Sequence, residues 1–273
     1  MIEWAAQRVT ANGITLNLYR SGGDKPPLVL LHGITDSGRC WARTADALAE
    51  DYDVIALDAR GHGLSDRPES GYGPADHAAD VAGVIDALGL AKPLIVMGHS
   101  MGAEVAATVA AHYPAYVKAL VLEDPPWRGD HPQTVEERAA TIQSWREGMS
   151  INQALSLDDL IAQQRAEAPG WHESELRPWA ESKHRVSPNV LQYMDEPRLL
   201  CDDAARRIAC PFLLVTGDVD RMAIVPPEVA ARIAQQPNAQ VVHIEGAGHN
   251  IRRDQFEPYL AAVREFLQRI ESE

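Results

Sequence analysis

Short, unbroken apolar runs recur along this chain with helix-forming stretches between them, and that alternation leaves few folds open. The runs are Leu28-Val29-Leu30-Leu31, Val54-Ile55-Ala56-Leu57, Leu94-Ile95-Val96-Met97, Ala119-Leu120-Val121-Leu122, Phe212-Leu213-Leu214-Val215 and Val241-Val242-His243-Ile244. Runs of this length without polar alternation read as strands buried on both faces. Helices are predicted over 41–48, 75–88, 103–112, 227–234 and 256–270. In the last of these, Phe256, Leu260, Val263, Leu267 and Ile270 return every three to four residues, which makes one apolar face. Strand and helix in this order imply a parallel sheet covered on both sides, joined by right-handed crossovers.

The rhythm has an antiparallel prelude and one break. Residues 6–10 and 14–19 read as an edge hairpin turning at Asn12-Gly13. Between Asp124 and Arg207 no buried-strand run occurs over about eighty residues, too long for a plain loop. Within that gap Val135, Ala139, Ile142, Trp145 and Met149 mark a helix face, Ser156 to Asp159 resembles a capping box, and Ser187-Pro188 suits a third helix start. We read residues 125–206 as a helical cap inserted into a core made of 1–124 and 207–273. Hydrophobic residues at 45% are enough to bury such a core.

Gly98-His99-Ser100-Met101-Gly102 lies directly between the run ending at Met97 and the helical stretch beginning at Ala103. A serine at such a sharp strand-to-helix turn projects its hydroxyl, and the flanking glycines remove Cβ atoms that would clash. A hydroxyl is a poor nucleophile at neutral pH, so it needs a base and a carboxylate to hold that base. Both types follow buried runs downstream: Thr216-Gly217-Asp218-Val219-Asp220, and Glu245-Gly246-Ala247-Gly248-His249.

On these residues the chain resembles the α/β-hydrolase superfamily from about Ile14 to Ile270, most loosely over the cap. The resemblance implies a mostly parallel sheet of about eight strands with helices on both faces and an inserted cap. It implies Ser100 as nucleophile, His249 as base and Asp220 as acid, with Asp218 a turn or capping residue. Some members place the acid after the sixth strand, where this chain has Glu123 and Asp124. The oxyanion hole would be the backbone N–H groups of Ile34 and Met101. His32 and His99 fall to supporting roles by the same analogy, while His62, in Asp58-Ala59-Arg60-Gly61-His62-Gly63, reads as a loop-shaping residue and His243, within a strand, as packed. Glu104, one turn after the nucleophile, reads as solvent-facing or as one half of a structural pair.

Composition narrows the partners. The net charge of −14 is spread without a basic cluster, which argues against nucleic acid and anionic membranes. No segment approaches the roughly 18 apolar residues of a membrane helix, and no leader pattern opens the chain, so a cytoplasmic location is expected. Three cysteines without CxxC spacing, and histidines without an HExxH, support neither a disulfide framework nor a metal site. No cofactor is expected either.

A serine nucleophile sets the chain apart from the aspartate-based relatives, and points to acyl transfer to water. A small, largely apolar ester or lactone, acyl homoserine lactones included, is the expected substrate. Trp127 and Met194 of the cap are the expected pocket residues. Two other readings stand beside it: a carbon–carbon hydrolase of ring-cleavage diketones, whose oxyanion loop tends to be richer in glycine than Gly33-Ile34-Thr35-Asp36, and a ligand receptor on the same fold.

Overall fold

The computed structural model describes residues 4–129, 134–198 and 201–272. In chain order its elements are β1 (Ala5–Ala11), β2 (Ile14–Arg20), β3 (Pro27–Leu31), α1 (Ala42–Leu48), β4 (Asp53–Leu57), α2 (Pro74–Ala87), β5 (Leu94–His99), α3 (Met101–His112) and β6 (Val117–Glu123). After these come α4 (Val135–Ala154), α5 (Leu157–Glu167), α6 (Glu173–His184), a 3-10 helix (Pro188–Met194), α7 (Cys201–Arg207), β7 (Phe212–Thr216), α8 (Pro227–Ile233), β8 (Ala239–His243), α9 (Ile251–Asp254) and α10 (Phe256–Ser272).

The eight strands form one sheet in the order β1-β2-β4-β3-β5-β6-β7-β8. The β1–β2 and β2–β4 pairs are antiparallel and every other pair is parallel. Asn12 and Gly13 turn the edge hairpin with φ of 50° and 78°, the left-handed pair that a two-residue turn requires. The apolar runs are indeed buried on both faces. In β3, Val29 and Leu31 join the core beneath α2, α3, α7 and α8, while Leu28 and Leu30 join the opposite core beneath α1 and α10. The face predicted on the C-terminal helix closes that second core, with Leu260, Val263, Leu267 and Ile270 buried.

Between β6 and β7 the chain leaves the sheet. Ser156 caps α5 by accepting the Asp159 N–H at 3.1 Å, as its sequence suggests. Ser187-Pro188 opens a 3-10 helix rather than an α-helix. Helix α6, which carries Pro178 in its interior, was not anticipated; it buries Glu175, Ser182 and Lys183 beside Leu176 and Ala180, so polar and charged contacts help seat it. Helix α4 turns its expected face partly outward: Met149 is buried, but Val135 is 70% exposed and Trp145 38%. Helix α7 lies against α3 and α8. His243 is exposed on the outer strand β8 rather than packed, and pairs with Asp218 at 2.9 Å.

Candidate active site

The loops leaving β3, β5, β6, β7 and β8 all emerge at the carboxyl ends of parallel strands, where sites gather in such sheets. Ser100 follows β5 with φ 53° and ψ −118°, a strained conformation for a residue with a side chain, and it caps the N-terminus of α3. Both neighbouring glycines are obligatory. A Cβ at Gly98 would stand 2.2 Å from the Gly102 carbonyl oxygen, and one at Gly102 would stand 2.1 Å from that of Leu31. The elbow therefore forms only because helix and strand backbones touch.

His249 follows β8 and remains half-open, with 28% of its side chain exposed. Its Nδ1 donates to Asp124 Oδ2 at 2.6 Å. That bond corrects the expected partner of His249: Asp220 sits exposed on a 3-10 turn (Val219–Arg221), whereas Asp124 at the end of β6 is fully buried. The β7 loop supplies the means of holding the acid instead of the acid. The Ile224 N–H reaches both Asp124 carboxylate oxygens at 2.8 and 3.0 Å, and the Val225 N–H reaches Oδ1 at 3.0 Å.

Glu123, one residue earlier, points elsewhere and accepts from the Arg252 N–H and guanidinium at 2.9 and 3.0 Å. Burial raises its pKa despite that partner. Asp218 is the turn residue its position suggested. It accepts the Gly246 N–H at 2.8 Å, and that bond, with His243 and Arg221 nearby, lowers its pKa.

His99 links the His249 loop to the end of β5. Its Nε2 donates to the His249 carbonyl at 2.9 Å, and the two rings lie 4.7 Å apart. Its Nδ1 faces Gly33, where an added Cβ would come within 3.0 Å of that nitrogen and 3.5 Å of Ser100 Cβ. The loop after β3 thus lies directly against Ser100. Burial, then the charges of Arg252 and His249, hold His99 well below the usual imidazole range, so it stays neutral.

Ile34 lies in that loop and Met101 at the first helical position after Ser100, which are the two positions expected to supply donors. His62 sits between the carbonyls of Arg60 and Ile34, at 2.8 and 2.7 Å, and His32 Nδ1 donates to the Gly33 carbonyl at 2.8 Å. Trp127 is buried in the core cluster that also holds Met101, Met149 and Val225, with Met194 packed at its edge. Glu104 is buried and takes the Tyr193 hydroxyl as partner, with Arg198 at 3.4 Å.

A buried ionic cluster beside the site was not anticipated. Asp36 meets Arg253 at 3.0 Å, Lys183 at 3.2 Å and Arg252 at 3.5 Å, and Arg253 continues to Glu175 at 3.4 Å. Burial alone would raise the Asp36 pKa, but the three cations overcome it and hold the carboxyl well below its ordinary value. The adjacent arginines Arg252 and Arg253, shortly after His249, are the one local signal, and they look like surface charge until α6 covers them. Among the described residues no three His, Cys, Asp or Glu side chains gather as a metal site.

The sheet order and the turn at Ser100 together define the α/β class of hydrolase folds. The family described as alpha/beta hydrolase fold matches residues 26–252, and the chain belongs to it. It is 31% identical over 271 residues, 96% of each chain, to the N-formylmaleamate deformylase of Pseudomonas putida. The crystal structure of E-2-(acetamidomethylene)succinate hydrolase superimposes with a TM-score of 0.81 at 27% identity, over 97% of this chain and all of that one. A pimeloyl-[acyl-carrier protein] methyl ester esterase of Vibrio parahaemolyticus is 26% identical, over 92% of this chain and 97% of that protein. The protein is accordingly a hydrolase, and its relatives act on more than esters.

Proposed function

We propose that the protein hydrolyses small acyl compounds through an acyl-enzyme on Ser100, with N-acyl bonds of small carboxylic acids as the leading substrate class. The observation that carries the reaction type is the 2.6 Å bond from His249 to the buried Asp124, in the loop beside the Ser100 elbow. With its Nδ1 proton committed to Asp124, His249 presents the Nε2 lone pair to the serine hydroxyl. Ser100 Oγ attacks the acyl carbon as its proton passes to Nε2, and the oxyanion is met by the N–H groups of Ile34 and Met101, the latter at a helix N-terminus. His249 then gives its proton to the leaving group and later activates the water that frees Ser100.

The substrate class rests on the relatives. Two of those described carry a formyl or acetamido group in the name of what they act on. Amide leaving groups depart only when protonated, so they depend on a base held in one tautomer, which is what the buried Asp124 supplies. Small esters share the chemistry with an easier leaving group, in keeping with the methyl ester esterase among the relatives. In this reading α4, α5, α6 and the 3-10 helix form a cap over the site, with Trp127 and Met194 on its pocket side.

A fluorophosphonate should label the peptide carrying Ser100 and leave Ser100→Ala unlabelled. Kinetics should then be compared for N-formyl and N-acetyl amides of small dicarboxylic acids, p-nitrophenyl esters of rising length, acyl lactones and a ring-cleavage diketone. The highest kcat/KM is expected for the N-acyl compounds. Preference for the diketone would overturn the acyl-transfer class, and labelling without turnover of any member would favour a receptor.

A further inference from the structure

The loop that carries Ile34 is fixed carbonyl by carbonyl, and the last of these contacts comes from outside the sheet. The Gly33 carbonyl accepts from the Asp36 N–H at 3.0 Å and from His32 at 2.8 Å, and the Ile34 carbonyl lies 2.7 Å from His62 Nε2. The Thr35 carbonyl accepts from α6, with Lys183 Nζ and Ser182 Oγ both at 3.0 Å. Ser182 shares its single proton with the Trp179 carbonyl at 2.6 Å, so the ammonium is the stronger hold.

Lys183 Nζ also donates to Thr35 Oγ1 at 2.8 Å and to Asp36 Oδ1 at 3.2 Å. An ammonium has three protons, and all three go to two consecutive residues of this loop. The two shorter contacts are to Thr35, although Asp36 carries the charge. Asp36 already has Arg252 and Arg253 beside it. Lys183 is therefore spent on the shape of the loop more than on neutralising a carboxylate.

We propose that Lys183 is a positioning residue for the oxyanion loop, so that a helix outside the sheet sets where the Ile34 N–H points. The inference rests on the hydrolytic reading above. Without Lys183 the Thr35–Asp36 peptide can pivot, and the Ile34 N–H, two peptide planes back, turns with it. Displacements of about 1 Å in such a donor cost up to about a hundredfold in rate. Ground-state binding would change little, because the donor meets a full negative charge only in the tetrahedral state.

The test uses the whole protein, p-nitrophenyl acetate as substrate and phenylboronic acid as a tetrahedral mimic. Ser100 Oγ adds to the empty boron orbital, its proton passes to His249, and a boron-bound oxygen sits where the oxyanion forms. In Lys183→Met, kcat should fall about ten- to a hundredfold and the phenylboronic acid inhibition constant should rise by a similar factor, with KM nearly unchanged. Ser182→Ala, which removes a donor from the same carbonyl and no charge, should show the same paired change at smaller size and covers the case where Lys183→Met does not fold.

Unchanged kcat and boronate affinity in a folded Lys183→Met overturns the inference. So does a rise in KM without a matching loss of boronate affinity, or, where Lys183→Met does not fold, wild-type values in Ser182→Ala. A wild-type protein that is neither inhibited by phenylboronic acid nor labelled at Ser100 overturns the hydrolytic reading itself.

Discussion

Asp124 leaves strand β6 with φ of 41°, in the left-handed region that aspartate tolerates better than most residues with a side chain. Its N–H still bonds the Val215 carbonyl at 3.0 Å, so the strand pairing runs up to the point where the chain turns. That turn separates two adjacent acids, Glu123 toward Arg252 and Asp124 toward His249. Asp124→Asn would keep the shape but allow the wrong tautomer of His249, and kcat should fall by about ten-thousand-fold. Asp220→Asn, on an exposed turn, should keep the wild-type kcat. Steady-state hydrolysis of one ester by both variants checks the pair, and a large loss in Asp220→Asn would return the acid to β7. The choice between these acids was not legible in the sequence, because both follow buried strands and differ only in where the chain turns next.

At the scale of elements, β3, the elbow and α3 form one unit whose tolerance is set by backbone contact. Gly102→Ala places its Cβ 2.1 Å from the Leu31 carbonyl oxygen and 2.7 Å from that of His32, so α3 must lift from β3 or the loop before Ile34 must move. We expect a loss of more than about 3 kcal/mol in urea unfolding, beyond the ordinary range of overpacking, since backbone cannot step aside as a side chain can. Wild-type stability in that variant would mean that the elbow can relax.

The seating of α6 is a second element-scale relation. The Trp171 indole, just before α6, donates to Asp254 at 2.8 Å, and Asp254 also accepts the Gly248 N–H beside His249. Glu175 and Lys183 add ion pairs to Arg253 and Asp36. Apolar periodicity predicts helices that bury an oily face, and it identified α10 and the cores correctly. It passed over α6, whose buried side sets Glu175 and Lys183 beside Leu176 and Ala180, and whose charges are satisfied only by groups that other segments bring to them.

Across the whole molecule, neutral buried histidines should govern acid stability. Burial lowers the pKa of His32 to about 4, and it holds His77 and His99 well below the ordinary value. Unfolded, these residues take up protons near pH 6.5, and folded they do not. The unfolded chain therefore binds more protons as the pH falls, so their stabilisation is complete above about pH 6.5 and is lost toward about pH 4. Each contributes a slope of up to about 1.4 kcal/mol per pH unit. Urea midpoints should drop steeply between pH 7 and pH 5, and equal midpoints would show that these rings are protonated in the fold.

The sequence by itself determined the buried parallel strands, the hairpin, the elbow at Ser100 and the loop that ends at His249. Those features come from side-chain periodicity and from turn residues, the glycines of the Ser100 turn included, and these patterns are written within a few residues of chain. Only the tertiary structure decided that Asp124 is the partner of His249, that the β7 loop holds it, and that α6 clamps the loop carrying Ile34. Those relations join residues a hundred or more positions apart. They depend on which way each strand end turns and on which charges become buried together, and a linear pattern holds neither.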